Sequence, residues 1–328
     1  MNRREFMTGI GGAAAALPLS LHAQQQIMPV IGILATASPE ANTDRMRAFR
    51  EGLKAVGYME GQNVGIEYRW ADANSGRLPE LAAELLYRKV TVLVAAGGTA
   101  SALAAKAATA SVPIVFGIGA DPVGLGLVAS LSRPGGNVTG VNSLNLEVVT
   151  KRLELLHELL PQATNMGLLV NPAVPALAEP AARLSRAAAD AFGLQLHVLH
   201  AGSESEFDAV FDKLRQLHVD ALNIAPDNLF TAHIEQLAAL TVRRGLPAIF
   251  EFRRFVAAGG LMSYGTSEAE YYHLVGTYTG RILKGESPTD LPVQQATKLE
   301  LLINLNTAKA MGLTIPVALL SRADEVIE

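Results

Sequence analysis

The stretch Ala95-Ala96-Gly97-Gly98-Thr99-Ala100 has the residue types and spacing for anion chemistry. It follows an apolar run of strand length and opens a helical stretch. Small side chains let a ligand reach the backbone, and the first amides of a helix have no carbonyl inside the helix to donate to. Gly98, Thr99 and Ala100 are therefore candidates for holding a carboxylate. The same residues also read as a tight strand-to-helix turn with Thr99 as a cap. Neither GxGxxG nor the Lys-Ser/Thr pair of a phosphate loop occurs here, so the stretch is no nucleotide fingerprint.

Other candidates fall at strand ends. Thr36 and Ser38, in Ala35-Thr36-Ala37-Ser38, place hydroxyls just beyond the first strand. Asp121, before Pro122, follows the fourth strand. It reads as the cap of a helix over Val123–Leu131, or as a contact to a ligand amine or hydroxyl. Asn171, Asp227 and Glu251 each lie at or just after the end of a strand in the second half, where one carboxylate is placed to pair with a ligand ammonium. Glu251 alternatively pairs with Arg253 or Arg254, and Asp227 alternatively caps a turn. Tyr264 is placed to stack on an aromatic ligand or to pack a hinge. The seven histidines show no HxxxH or HExxH spacing, and no serine sits in a GxSxG elbow. No acid–base pair stands out, so no catalytic residue, metal or cofactor is expected, and binding is favoured over catalysis.

These residues need rigid elements behind them. Runs rich in Val and Ile at Pro29–Ala35, Val64–Arg69, Val90–Ala95 and Val112–Gly117 alternate with helical stretches. The rhythm restarts at Met166–Val170 and continues through Gln195–His200, Ala221–Ala225, Ala248–Phe252 and Leu261–Tyr264. Such alternation predicts an α/β fold of two Rossmann-like lobes, each with a parallel sheet covered on both faces. Gly135–Asn142 reads as an extended first crossing between lobes. The expected N-terminal lobe is 28–141 plus about 267–290, and the C-terminal lobe about 143–265 plus about 298–328. Hinge crossings are expected near 141–144, 264–267 and 291–297, with the ligand in the cleft outside the strands' carboxyl ends.

Composition narrows the function classes. The chain has 328 residues, 49% apolar and 18% charged, with a formal net charge of −4. That is enough for two cores and offers no basic footprint for nucleic acid. The absence of cysteine excludes disulfides, thiolate metal sites, cysteine nucleophiles and a lipid-modified cysteine anchor. Residues 1–23 read as an export signal: Arg3-Arg4, an apolar run from Gly9 to Leu21, then Ala23. The arginine pair followed by Phe6 also fits a twin-arginine signal. The expected product is a soluble periplasmic monomer without a lipid anchor.

Long stretches then carry a family resemblance. Asp121–Gly140, Phe255–Gly265, Ile282–Val293, Asn304–Pro316 and Arg322–Ile327 resemble, in the same order, one family of ABC transporter substrate-binding proteins. That family includes tryptophan- and tyrosine-binding lipoproteins, and the resemblance spans essentially all of the chain beyond the export segment. It implies a type I periplasmic binding protein fold, a clamshell that captures a small molecule for an inner-membrane ABC permease. The implied ligand is a carboxylated one, an aromatic amino acid or related acid. The resemblance places its carboxylate at Gly98, Thr99 and Ala100, first-loop contacts at Thr36 and Ser38, and second-lobe contacts at Asn171, Asp227 and Glu251. One departure is that the lipid-anchored members carry a cysteine this chain lacks. A ligand sensor for a signalling partner and an exported α/β enzyme are the alternatives.

Overall fold

The computed structural model describes residues 28–72 and 74–328. The expected export segment, 1–23, lies outside the described residues. The first lobe is built from β1 (Val30–Ala35), α1 (Thr43–Ala55), β2 (Gly65–Trp70), α2 (Leu78–Tyr87), β3 (Val92–Ala95), α3 (Thr99–Ala108), β4 (Ile114–Ile118) and β5 (Val138–Ser143). The second begins with α4 (Val149–Leu159), β6 (Asn165–Val170), α5 (Pro175–Ala191), β7 (Gln195–His200) and α6 (Phe207–Gln216). It continues through β8 (Ala221–Ile224), α7 (Asn228–Ala232), α8 (Ile234–Arg243), β9 (Ala248–Phe250), α9 (Arg253–Ala257) and β10 (Met262–Thr266). The chain then returns through α10 (Glu268–Leu283) and β11 (Gln294–Ala296). It ends in β12 (Leu299–Asn304), α11 (Leu305–Ala310), α12 (Val317–Leu320) and β13 (Glu325–Ile327).

Among the described residues the strands form two sheets, ordered β11-β5-β4-β3-β1-β2 and β13-β12-β10-β9-β8-β6-β7. Each pairing is parallel except β10 with β12. The continuous apolar strands follow from burial on both faces. In β1 and β3, Ile31, Ile33, Ala35, Val92 and Val94 pack under Phe49 and Leu53 of α1 and Val275 of α10. The alternate residues Leu34, Leu93 and Ala95 pack under Leu81 and Leu85 of α2 and Ala102 of α3. The period-two pleat thus sends successive side chains into two separate layers.

Helix α10 follows the second lobe in sequence but packs on the first. A Cβ at Gly52 would collide with the His273 carbonyl, and one at Gly276 with the Phe49 carbonyl, so α1 and α10 meet backbone to backbone. The crossings are tied to one another. Leu144 N donates to Thr266 Oγ1 (3.1 Å), Thr266 N to Asn145 Oδ1 (2.7 Å), and Ser267 N to the Lys298 carbonyl (2.9 Å).

Two expectations need correction. Val123–Leu131 is not a helix but a run of turns, in which both Leu127 N and Val128 N donate to the Pro122 carbonyl. Gly124 and Gly126 break helical propensity there, and Gly126 has φ +66°. The stretch Gly135–Asn142, read as an extended first crossing, lies within the first sheet from Val138 onward. Val138–Ser143 is β5, buried along its length between β4 and β11, and the chain leaves the first lobe after Ser143.

Candidate ligand-binding site

A cleft of about 770 Å³ lies between the lobes and takes residues from both. On the first-lobe side the C-terminal ends of β1, β3 and β4 open into it. Thr36 Oγ1 donates to the Gly97 carbonyl (2.7 Å), tying the β1 and β3 turns together. Gly97 N donates to Ser101 Oγ (2.9 Å), and Ser101 Oγ donates to the Gly98 carbonyl (2.8 Å). Gly98 adopts φ +77°, which glycine reaches without the steric cost of a Cβ. It precedes α3 without a side-chain cap, and the first helical bond is Ala102 N to Gly98 O. The Thr99 and Ala100 amides therefore stand ahead of the helical ladder, where the helix dipole favours an anion.

On the second-lobe side, Asn171, Asp227 and Glu251 all line the cleft from the ends of β6, β8 and β9. Asp227 Oδ1 accepts from Asn171 Nδ2 (2.9 Å) and from Leu229 N (2.8 Å), so it caps α7 while facing the cleft. Burial pushes its carboxyl above the ordinary value, and these two neutral donors oppose the shift. Its neighbour Asn228 crosses between lobes: Asn228 Nδ2 donates to the Gly97 carbonyl at 2.7 Å.

Glu251 is 5% exposed. Burial pushes its carboxyl up to about 7, against the opposing Arg152 charge and a hydrogen bond from Asn145. Arg152 is fully buried on α4 and donates to the Asn145 carbonyl (2.8 Å), the Tyr264 carbonyl (3.0 Å) and Asn223 Oδ1 (3.4 Å). Glu251 thus abuts the crossings themselves. The alternative pairing with its sequence neighbours does not form: Arg253 pairs with Glu325 and Arg254 with Glu268.

Three expected residues do not line the cleft. Ser38 lies beyond Ala37, and its carbonyl accepts from Asn42 Nδ2 (2.8 Å). Asp121 is exposed and accepts from Val123 N (2.9 Å), which closes a local turn and caps no helix. Tyr264 packs its ring at the edge of the second-lobe core. Conversely, Arg45, Arg254, Glu268, Phe252, Tyr271 and Tyr272 line the cleft without having been singled out. Arg45 bonds Glu268 at 2.7 Å and lies over the rings of Phe252 (5.6 Å) and Tyr272 (5.5 Å). The available signal was a charged residue just inside a helix start following a cleft-facing strand, which strand ends alone do not reveal.

The sequence pattern described as "ABC transporter substrate binding protein" matches residues 30–327. A tyrosine-binding protein of Clostridioides difficile is 27% identical over 276 residues, covering 81% of this chain and 76% of the relative. A Streptococcus pneumoniae ABC domain solved in complex with L-Trp is 25% identical. That likeness covers 91% of this chain and 99% of the other, with a TM-score of 0.83. The ligand-free, open structure of a Clostridium difficile substrate-binding protein with adhesive properties is also 25% identical with the same coverages, and its TM-score is 0.68.

Proposed function

The chain belongs to the ABC transporter substrate-binding protein family, and on that premise we propose that it captures a small carboxylated amine between its lobes. An aromatic amino acid or a close analogue is the ligand class. Its carboxylate meets the Thr99 and Ala100 amides beside Gly98, with Thr36 steadying the turn. Its ammonium meets Asp227. Glu251 is the weaker candidate for the amine, because Arg152 and Arg45 already oppose its charge. The carrying observation is the Asn228–Gly97 bond, which draws the turn bearing Asp227 against the start of α3. An acid and an open helix start then stand together at one end of the cleft.

Other observations support the reading. At equal identity the chain superposes better on the L-Trp complex than on the ligand-free, open relative. Phe252, Tyr271 and Tyr272 give the cleft aromatic walls. Ligand drives closure only by as much as it prefers the closed lobes. The closed form is then presented to an inner-membrane ABC permease by a periplasmic monomer.

The test is calorimetry and thermal shift with L-tryptophan, L-tyrosine, tyramine and 3-(4-hydroxyphenyl)propionate. One amino acid at about 100 times its dissociation constant stabilises the protein by about 2.7 kcal/mol. Tyramine, lacking the carboxylate, and the propionate, lacking the amine, each bind at least about tenfold more weakly than L-tyrosine. If no aromatic amino acid shifts the transition, the reading fails.

A further inference from the structure

At the α10 end of the cleft five charged groups lie together: Arg45, Arg152 and Arg254 against Glu251 and Glu268. Their pairing is uneven. Arg152 opposes Glu251 from behind the wall, while spending its hydrogen bonds on the Asn145 and Tyr264 carbonyls and on Asn223. Glu268 alone serves two arginines from opposite lobes, Arg45 at 2.7 Å and Arg254 at 3.4 Å. Arg254 Nη2 is buried and has no hydrogen-bond partner among the described residues. Arg45 is held between Phe252 and Tyr272, with its side chain 11% exposed. The group therefore retains one positive charge and one free guanidinium donor in a desolvated place. Buried charge of that kind is costly unless something pairs with it.

The geometry points to a second anionic subsite: Arg254, with Arg45 beside it, binds a carboxylate at the far end of the ligand. This rests on the head-group reading above for the ligand's orientation, with the first carboxylate at α3 and the amine at Asp227. Arg254 lines the cleft from α9 with its Nε on Glu268, and its buried Nη2 is the donor left unpaired among the described residues. Guanidinium suits a carboxylate because its planar fork matches two oxygens, and the bond strengthens where water is excluded. Topology separates the two subsites. Glu251 and Arg254 follow β9, the strand next to the crossing strand β10, whereas Asp227 follows β8 one strand further away. The ligand class becomes an amino acid whose side chain ends in a carboxylate, with an aromatic or similarly flat body.

Calorimetry on the purified protein with L-phenylalanine and 4-carboxy-L-phenylalanine tests this. The second binds at least about tenfold more tightly to the wild type. Arg254→Gln lowers affinity for 4-carboxy-L-phenylalanine about tenfold more than for L-phenylalanine. Equal or weaker binding of the carboxy compound by the wild type overturns the subsite. If neither amino acid binds, the head-group reading has failed instead, and glutarate against butyrate decides the subsite. Glutarate giving the larger thermal shift supports it, and equal shifts overturn it.

Discussion

Along the first-lobe strand ends the cleft meets mostly backbone, at Ala96, Gly97, Gly98, Gly117 and Gly119. Along the second-lobe strand ends it meets side chains, at Asn171, Asp227, Asn228, Glu251 and Arg254. The two walls ask different things of a ligand. Amides at a helix start hold any carboxylate, whatever follows it. Carboxylates and guanidinium groups select for charge and reach. The backbone wall therefore suits the part common to many ligands, and the side-chain wall suits the part that distinguishes them. The walls also fail differently. A glycine wall fails sterically when a Cβ is added, and a side-chain wall fails electrostatically when a charge is removed.

The largest expected effect lies in the second wall. Between pH 4.5, its ordinary value, and about 7, Glu251 binds more protons folded than unfolded, so its contribution to stability falls as pH rises through that window. Glu251→Gln removes that loss. Denaturant melts should show the variant gaining roughly 3 kcal/mol relative to wild type between pH 4.5 and pH 8. Arg152, Arg45 and Glu268 face this carboxylate and retain their charge throughout the window. A pH-independent difference between the two proteins would show that Glu251 is ionised throughout and that the second wall carries no buried strain.

The first wall answers to a methyl group. Gly98→Ala places a Cβ at φ +77° and 2.8 Å from Asn228 Nδ2. The backbone cost, about 1–3 kcal/mol, should appear in melts of the ligand-free protein. The Asn228 clash exists only where the lobes meet, so affinity for L-tyrosine should fall a further tenfold or so, about 1.4 kcal/mol. Unchanged affinity would mean that the start of α3 is not part of the site.

The two walls were also unequally legible. Gly97-Gly98-Thr99 announces itself because a ligand-accessible turn needs small residues next to one another in sequence. Asn171, Asp227 and Glu251 were legible for a related reason: a polar residue closing an apolar strand sits at a sheet's carboxyl edge. Arg45 with Glu268 was not legible, because the partners lie 223 residues apart and meet only when α10 returns to α1. Arg152 was hidden inside the apolar face of α4, among Leu153, Leu155, Leu156 and Leu159. Asp121 shows the opposite case, in which a local turn to Val123 N satisfies a polar strand-end residue.

Asp227 lets charge be separated from structure within the second wall. Asp227→Asn retains an oxygen for Leu229 N and so keeps the cap of α7, but it loses the negative charge. Affinity for L-tyrosine should fall about tenfold, about 1.4 kcal/mol, with thermal stability within about 0.5 kcal/mol of wild type. Equal affinity in calorimetry would return Asp227 to a purely capping role and leave the amine to another group.

Asn228→Ala is the smallest change and tests where the walls meet. Its amide donates across the cleft to the Gly97 carbonyl, which keeps a second donor in Thr36 Oγ1 when Asn228 is removed. No buried acceptor is orphaned, so the cost is one net hydrogen bond, about 1 kcal/mol. That cost applies only to the closed form, since opening the lobes breaks the bond in any case. Ligand affinity should fall about fivefold, mostly through faster release, while the melting of the ligand-free protein stays put if its lobes rest open. A drop in ligand-free stability with no change in affinity would instead mean that the lobes rest closed. The two walls would then be one preformed site, and closure would no longer be what the ligand drives.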